Sequence, residues 1–293
     1  MPLRAVQQFM LGTVMNTQAQ ATDTMKKMKD AGYDGIELCG FMIHPSSFLV
    51  KMMTKAAGMP VGNGGKLDWP RLVKESGLQV VSIHQDLGSV ERNPAAVARE
   101  AQKFGTDKIV ITGMYRFPYG DAEEVRKLAG RLNNAGTNLK KEGISLLYHN
   151  HNCEFVKVSG KQNAYCLLME ETDPEVVNFE FDSYWCAECG ADPLSVMDAL
   201  GSRMKLWHIN DRGTRLAGPA MTPILKSDSM EPGTGTMPLQ QLSQKAKAAG
   251  IHAVILESHR NWVDKSPVRS FQLSAAFIKE QFSEQRGNLC TKN

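Results

Sequence analysis

The feature that most constrains the fold of this chain is a repeated alternation between short apolar runs and longer amphipathic stretches. Runs rich in Val and Ile, which are typical of buried strands, are each followed by a segment with helical periodicity. The candidate strands lie at 5–11, 34–38, 79–84, 108–113, 144–149, 176–182, 204–209 and 252–257. The helical stretches lie at 22–31, 47–57, 94–104, 121–142, 162–171, 193–200, 237–249 and 266–282. Strands that alternate with helices build parallel βα units, and this many units predict a (β/α)8 TIM barrel of the α/β class.

The alternative to a closed barrel is an open, doubly wound sheet, in which a glycine-rich phosphate loop follows the first strand. No such loop follows 5–11, so the barrel is favoured. The chain of 293 residues also has no stretch with the composition of an interdomain linker. We therefore expect a single barrel domain over 1–293, with long loops at 56–65 and 227–236 and a frayed tail at 283–293.

Charge and composition exclude several classes of partner. The net charge is +3 and no long run of Lys or Arg occurs, which argues against a nucleic-acid surface. No apolar run reaches the length of a transmembrane helix, and the first residues lack the features of a signal peptide. Cys186 and Cys189 form a lone CxxC, with no second pair to complete a zinc site. We expect a cytoplasmic protein with neither a nucleic-acid nor a membrane partner.

Most of the candidate strands end in polar side chains. In a (β/α)8 barrel the chemistry lies at the carboxyl ends of the strands. The residues at these ends are Glu37, His84, His149 with His151, Asp182, His208 and Glu257. By strand alternation, His149 and His151 both point inward, and Glu180 shares the inner face with Asp182. Glu180 is expected in a polar layer under the site.

Four of the strand-end residues form the strongest metal-site hypothesis: His149, Asp182, His208 and Glu257. Two buried carboxylates without a cation would repel each other, and one divalent ion would satisfy all four side chains. A lone residue such as His84 could instead be a hydrogen-bonding residue with no catalytic role. His44, His252 and His259 are not expected to be ligands, although His259 could touch a substrate or equally face solvent.

The motifs that carry these residues resemble one family. They are "YDGIEL", "LLYHNHNCEF", "FEFDSYW", "LWHINDRG", "GTG" and "VILESH", in that order. Their order and rough spacing are similar to those of the xylose-isomerase-like TIM barrels. That superfamily includes sugar phosphate isomerases and epimerases, ketose 3-epimerases, inosose and dehydroshikimate dehydratases, and endonuclease IV. The resemblance covers most of the chain, roughly from Tyr33 to Glu257.

The resemblance implies a metal site built from a Glu on strand five, an Asp on strand six, a His on strand seven and a Glu on strand eight. The last three map onto Asp182, His208 and Glu257. Where many members have "LEN" at strand five, this chain has "YHN", which puts His149 in the position of the Glu. A neutral imidazole can replace the carboxylate as a ligand. One divalent ion is therefore expected from among Mn, Co, Zn and Mg, with Mn favoured.

The replacement also changes the expected catalytic groups. Epimerases of the family use two facing carboxylates as bases, and here the one on strand five is missing. His151 becomes the expected proton carrier, with Glu257 and His149 as the other catalytic candidates; the reverse assignment of the two histidines stays open. The expected substrate contacts are Glu37, His84, Trp185 and Arg212. Glu154 is a weaker candidate, since its loop could also point it at solvent.

These expectations imply a sugar isomerase or epimerase that acts on a ketose or keto-sugar through an enediolate. The alternative is a lyase on the same metal site, a dehydratase or a 3-keto-glycoside deglycosidase, because the same proton abstraction could expel a leaving group. A non-catalytic binding protein would not need the full set of ligand types. The endonuclease branch needs further histidines, where this chain has Trp185 and Thr112. The expected partner is a small carbohydrate, with a homo-oligomer or a small partner subunit left open. The loop "PGTGT" (232–236) could cradle a phosphate or close the site.

Overall fold

The computed structural model describes residues 1–45, 52, 64–158, 160, 162–216, 218–219 and 221–283. Its central element is a closed barrel of parallel strands: β1 (Leu3–Gln7), β2 (Gly35–Cys39), β3 (Gln79–Gln85), β4 (Lys108–Thr112), β5 (Ser145–His149), β6 (Val177–Asp182), β7 (Met204–Ile209) and β8 (Ala253–Leu256). β1 pairs with β2 on one side and with β8 on the other, which closes the ring. The predicted (β/α)8 TIM barrel is confirmed.

Helices surround the barrel: α1 (Gln18–Ala31), α2 (Gly40–Ile43), α3 (Trp69–Ser76), α4 (Leu87–Arg92), α5 (Pro94–Lys103), α6 (Ala122–Lys141), α7 (Ala164–Glu171), α8 (Ser183–Glu188), α9 (Pro193–Leu200), α10 (Leu239–Ala249) and α11 (Pro267–Gln281). The predicted helix at 47–57 lies outside the described residues apart from Met52, and the tail after Ser283 lies outside them too. No described helix combines the length and the apolar character needed to cross a membrane.

Local side-chain bonds explain where several elements begin and end. α6 begins after Asp121, whose carboxylate accepts the N–H groups of Glu123 and Glu124. α1 ends at Gly32, which takes a left-handed φ of 98°. The predicted first strand, 5–11, is too long: β1 stops at Gln7, whose side-chain oxygen accepts the N–H of Phe9 at 3.1 Å and starts a 3₁₀ turn.

The predicted loop at 227–236 is in part a strand. Asp228–Met230 pairs antiparallel with Asp211–Gly213, which follows β7 directly. Three-residue strands are too short to show a periodicity in the sequence, so the loop prediction was wrong at this end. The hairpin lies at the carboxyl end of β7, beside the strand-end residues.

The barrel has an apolar interior that becomes polar at its mouth. The inner cluster consists of Ala5, Val81, Val110, Leu147, Leu206, Ala253 and Ile255. Leu147, Leu206 and Ile255 each precede a predicted site residue by two positions, so the site residues continue the inward face. On β6, Phe179 and Phe181 instead contact Tyr165 of the surrounding helices. The alternation of side chains along the strands therefore places the polar strand-end residues together at the mouth of the barrel.

Candidate metal centre

Four side chains from neighbouring strands converge at the mouth of the barrel. They are His149 at the end of β5, Asp182 at the end of β6, His208 on β7 and Glu257 just after β8. Each offers one ligand atom, and these atoms lie within 4.8 Å of one another. Nδ1 of His208 lies 2.9 Å from Oε2 of Glu257 and 3.8 Å from Oδ2 of Asp182. All four are buried. Two imidazoles and two carboxylates at these separations fit a divalent cation.

A second polar layer lies directly beneath these four residues and consists of Glu37, His84 and Glu180. Nδ1 of His149 lies 3.0 Å from Oε2 of Glu180. Nε2 of His208 lies 2.7 Å from Oε2 of Glu37 and 3.3 Å from Oε2 of Glu180. Nε2 of His84 lies 3.1 Å and 3.0 Å from the same two oxygens. Both ring nitrogens of His208 therefore face carboxylates, one above and one below.

The ring protons of the two shared histidines allow a cation in only one of the two layers at a time. His84, His149, Glu180 and His208 also offer atoms within 4.8 Å of one another. His149 and His208 would belong to both groups, but a neutral imidazole has only one nitrogen free to bind a metal. When the outer nitrogens are ligands, the inner ones are N–H donors to Glu180 and Glu37, a common way to orient metal-binding histidines. The geometry therefore fits one cation in the outer group, above a hydrogen-bonded layer.

In this region, burial and the neighbouring charges have opposing effects on the pKa of each group. Burial raises the pKa of Asp182 to about 6. Burial opposes protonation of His84, but the carboxylates of Glu37 and Glu180 outweigh it and raise the pKa of His84 to about 10. The same balance holds the pKa of His208 well above its ordinary value. Positive charge is therefore strongly stabilised here, as a cation site requires.

His151 lies beside the four-residue group and has no atom in it. It follows β5, is partly buried, and its ring centroid lies 5.0 Å from that of His149. Burial and the neighbouring His149 lower the pKa of His151 to about 3, so its imidazole is neutral at pH 7 and can accept a proton. The ring of Trp185 lies 5.8 Å from that of His151 and forms a wall of the mouth.

His259 lies closer to the site than the sequence indicated. Its Nε2 lies 3.3 Å from Oε1 of Glu257, and its ring stands nearly perpendicular to that of Trp185, with centroids 5.5 Å apart. Burial opposes its protonation, but Glu257 raises the pKa of His259. The available signal was its position two residues after a strand-end Glu, in the loop that leaves the mouth of the barrel. His151 and His259 thus both lie against the indole ring of Trp185.

Glu37 and His84, both predicted substrate contacts, lie in the lower layer. Glu37 has no exposed surface and accepts hydrogen bonds from Gln7, at 2.7 Å, and from Ser82. The His84 side chain is 11% exposed, and its Nδ1 lies 2.8 Å from Oγ1 of Thr112. The carboxylate of Glu37 is therefore engaged by protein groups, and His84 is the more accessible of the two.

The hairpin after β7 holds Arg212 and the glycine-rich loop. Arg212 is partly buried, and its Nε has no hydrogen-bond partner among the described residues. The carboxylate of Asp211 accepts the backbone N–H groups of Gly233, Gly235 and Met237 at 3.0, 2.9 and 3.0 Å. These are the donors that a phosphate would need. Asp211 therefore takes the backbone donors that a phosphate at "PGTGT" would require.

The fold and the site together define a (β/α)8 barrel with a candidate metal centre at the carboxyl ends of its strands. The chain belongs to the xylose isomerase-like TIM barrel family, whose sequence model matches residues 25–281. An inosose dehydratase 2 of Bacillus cereus is 32% identical over 94 residues. That match spans 32% of this chain and 30% of the length of the dehydratase.

Two solved structures are similar over nearly the whole chain. A sugar phosphate isomerase/epimerase from Parabacteroides distasonis ATCC 8503 gives a TM-score of 0.73 at 22% identity, over 94% of this chain and 93% of that one. The probable 3-DHS dehydratase AsbF from Bacillus anthracis gives 0.65 at 14% identity, over 95% and 99%. At these identities the likeness is one of fold.

Proposed function

We propose that this protein is a divalent-metal-dependent isomerase or epimerase that moves a proton beside the carbonyl of a ketose or keto-sugar. The observation that carries the proposal is the convergence of four metal-ligand side chains beside a neutral imidazole, His151, and an indole wall, Trp185. Membership of a family with sugar-converting relatives supports the same class of substrate.

The four converging residues would hold the ion, and the ion would supply Lewis acidity that polarises a carbonyl and acidifies the neighbouring C–H. In the proposal, Trp185 packs against the sugar ring and His151 accepts the proton, which leaves the substrate as an enediolate. His259, whose Nε2 lies 3.3 Å from Oε1 of Glu257, also lies against Trp185 and is the candidate to return a proton. The candidate ions are the Mn, Co, Zn and Mg expected from the sequence, of which Mg is the least suited to two imidazole ligands, and metal analysis decides among them.

A lyase on the same site is the second candidate, and two observations favour it. The Bacillus cereus relative described above is a dehydratase, an enzyme that eliminates water from its substrate. The acid/base groups around Trp185 are two imidazoles, His151 and His259, instead of two facing carboxylates. A protonated imidazole can give its proton to a departing oxygen as well as to a carbon.

Metal analysis tests the site. Protein purified without a tag is compared by elemental analysis with His208→Ala and Glu257→Ala. We expect about one divalent ion per chain in the unaltered protein and near-complete loss in both variants. The matched control is His252→Ala, which removes an exposed imidazole at the opposite end of β8. Unchanged metal content in both site variants would contradict the proposed metal centre.

Incubation with a panel of keto-sugars in D2O tests the reaction. Deuterium incorporation without release of a group supports an isomerase or epimerase, whereas release of water or an aglycone supports a lyase. Metal-loaded protein that exchanges no substrate proton across the panel would count against proton transfer as the function.

A further inference from the structure

A buried carboxylate, Glu154, takes part in neither the candidate metal centre nor the proposed proton transfer. It lies in the 3₁₀ turn Cys153–Phe155, after β5, and has no exposed surface. The sequence left open that this loop points Glu154 at solvent or at a substrate, and its burial excludes solvent. A carboxylate buried this deeply requires hydrogen-bond donors, because desolvation of a charge is costly.

The donors of Glu154 come from its own segment. Its Oε2 accepts the backbone N–H of His151 at 2.9 Å and the thiol of Cys153 at 3.1 Å. Its Oε1 accepts the hydroxyl of Tyr148 at 2.8 Å. The carboxylate therefore ties the last residues of β5 to the backbone of His151, which itself belongs to no strand.

A directed chain of hydrogen bonds fixes the other side of the carboxylate. The backbone N–H of Met114 donates to the hydroxyl oxygen of Tyr119 at 2.7 Å. The hydroxyls of Tyr119 and Tyr148 lie 2.8 Å apart. Since Tyr148 donates its proton to Glu154, Tyr119 must donate to Tyr148. The chain runs in one direction, from Met114 to the carboxylate, and each donor is used once.

The room for this carboxylate depends on a glycine. Gly113 directly follows β4, and a Cβ atom there would collide with Oε1 of Glu154. A side chain at 113 would therefore push the carboxylate away from Tyr148 and disturb its bond to His151. The lack of a side chain at Gly113 and the hydrogen bonds from Met114 through Tyr148 thus both fix the carboxylate that accepts the His151 N–H.

We propose that Glu154 is a positioning residue, which holds the backbone of His151 so that its imidazole stands between His149 and Trp185. The inference rests on the proposed function only in the role it assigns to His151 as proton carrier. Without Glu154, the His151 N–H has no other described acceptor, and the remaining described hydrogen bond to the His151 backbone is a long one, from the Asn150 amide to the His151 carbonyl at 3.4 Å. We therefore expect the imidazole of His151 to be held less firmly.

The test measures the position of His151 and the rate of proton transfer separately. The first readout is the rate at which diethyl pyrocarbonate modifies His151, followed by peptide mass spectrometry, which requires no substrate. The second is kcat and KM for any keto-sugar that exchanges deuterium. For Glu154→Gln we expect faster modification of His151, unchanged metal content and KM, and a kcat lower by about 10²-fold, as misplacement of a catalytic group costs.

Glu231→Gln is the matched control. Glu231 is also a buried carboxylate that accepts a loop N–H, from Val263 at 2.9 Å, but it does not touch His151. We expect it to lower the melting temperature and to leave His151 modification and kcat unchanged. Should Glu154→Gln fail to fold, Gly113→Ala tests the same contact.

Two results would overturn the inference. One is a folded Glu154→Gln variant in which both the rate of His151 modification and kcat equal those of the unaltered protein. The other is the same loss of kcat in Glu231→Gln, which would show a general effect of lowered stability. If the unaltered protein turns over no keto-sugar, the proposed function fails, while the modification rate still decides the role of Glu154.

Discussion

The Nδ1 atom of His149 lies 3.0 Å from Oε2 of Glu180 on the neighbouring strand, and both side chains are buried. With Nδ1 donating to Glu180, the other ring nitrogen, Nε2, is the one left to bind a cation. The histidine in the strand-five ligand position thus has a carboxylate partner of its own, one layer below. A metal site with this histidine depends on the pair as a unit.

The first prediction concerns Glu180. We expect Glu180→Gln to lower the affinity for a divalent cation by about 10–100-fold, because the amide holds the His149 ring less firmly and carries no charge. Isothermal titration of metal-stripped protein with Mn²⁺ or Zn²⁺ measures this. Glu170→Gln, on the exposed surface of α7, should bind as the unaltered protein does. Equal affinities in all three proteins would remove Glu180 from any role in orienting a ligand.

The second prediction separates the roles of the two neighbouring histidines. His151→Gln should keep its metal and lose about 10²–10⁴-fold in the rate of substrate deuterium exchange, the usual contribution of a general base. His149→Gln should lose metal and exchange together. Elemental analysis and deuterium exchange are measured on both variants. The opposite pattern would mean that His151 is the ligand and His149 the proton carrier.

The third prediction uses two glycines of α6. A Cβ at Gly130 meets nothing within 4 Å, so Gly130→Ala should stabilise the protein by about 0.5–1 kcal/mol through helix propensity. A Cβ at Gly136 would collide with the backbone oxygen of Val176, so Gly136→Ala should destabilise it by about 1–3 kcal/mol. Urea denaturation of each variant measures the free energy of unfolding. A change of the same sign in both would contradict the packing of α6 against the segment before β6.

The fourth prediction concerns the pH dependence of stability at the base of the barrel. Burial opposes ionisation of Asp34, but hydrogen bonds from Arg4, at 2.8 and 3.0 Å, lower its pKa below the ordinary 3.8. A carboxyl whose pKa is lower in the folded state stabilises that state above its unfolded pKa. This stability is lost as the pH falls through the folded value.

Unfolding of Asp34→Asn across pH 7 to 3 checks this expectation. The variant should be less stable than the unaltered protein near neutral pH, and the difference should shrink below about pH 4. Asp23→Asn, on the exposed face of α1, serves as the control and should show little difference at either pH. A constant difference over the whole range would show that the Asp34 charge is not what stabilises the fold.

By itself, the sequence determined the barrel and the edge at which its polar residues gather. The alternation of strand and helix signals requires parallel βα units, and parallel strands bring their carboxyl ends to one side. Period-two alternation then places His149 and His208 on the inward face, two residues beyond Leu147 and Leu206. These are local properties, readable within a few residues, so they need no knowledge of which strands are neighbours.

Only the tertiary structure decided which polar residues touch. Glu37 accepts a bond from His208, a residue 171 positions away, and this contact exists because the closed barrel brings β2 and β7 face to face across its interior. Glu154 is buried, not exposed, because β4 and β5 lie side by side and Gly113 leaves room for its carboxylate. Asp211 accepts backbone N–H groups of the glycine-rich loop because the strand 228–230, which leads into that loop, pairs with 211–213. Each depends on contacts between distant segments, whose distances and directions a single sequence does not contain.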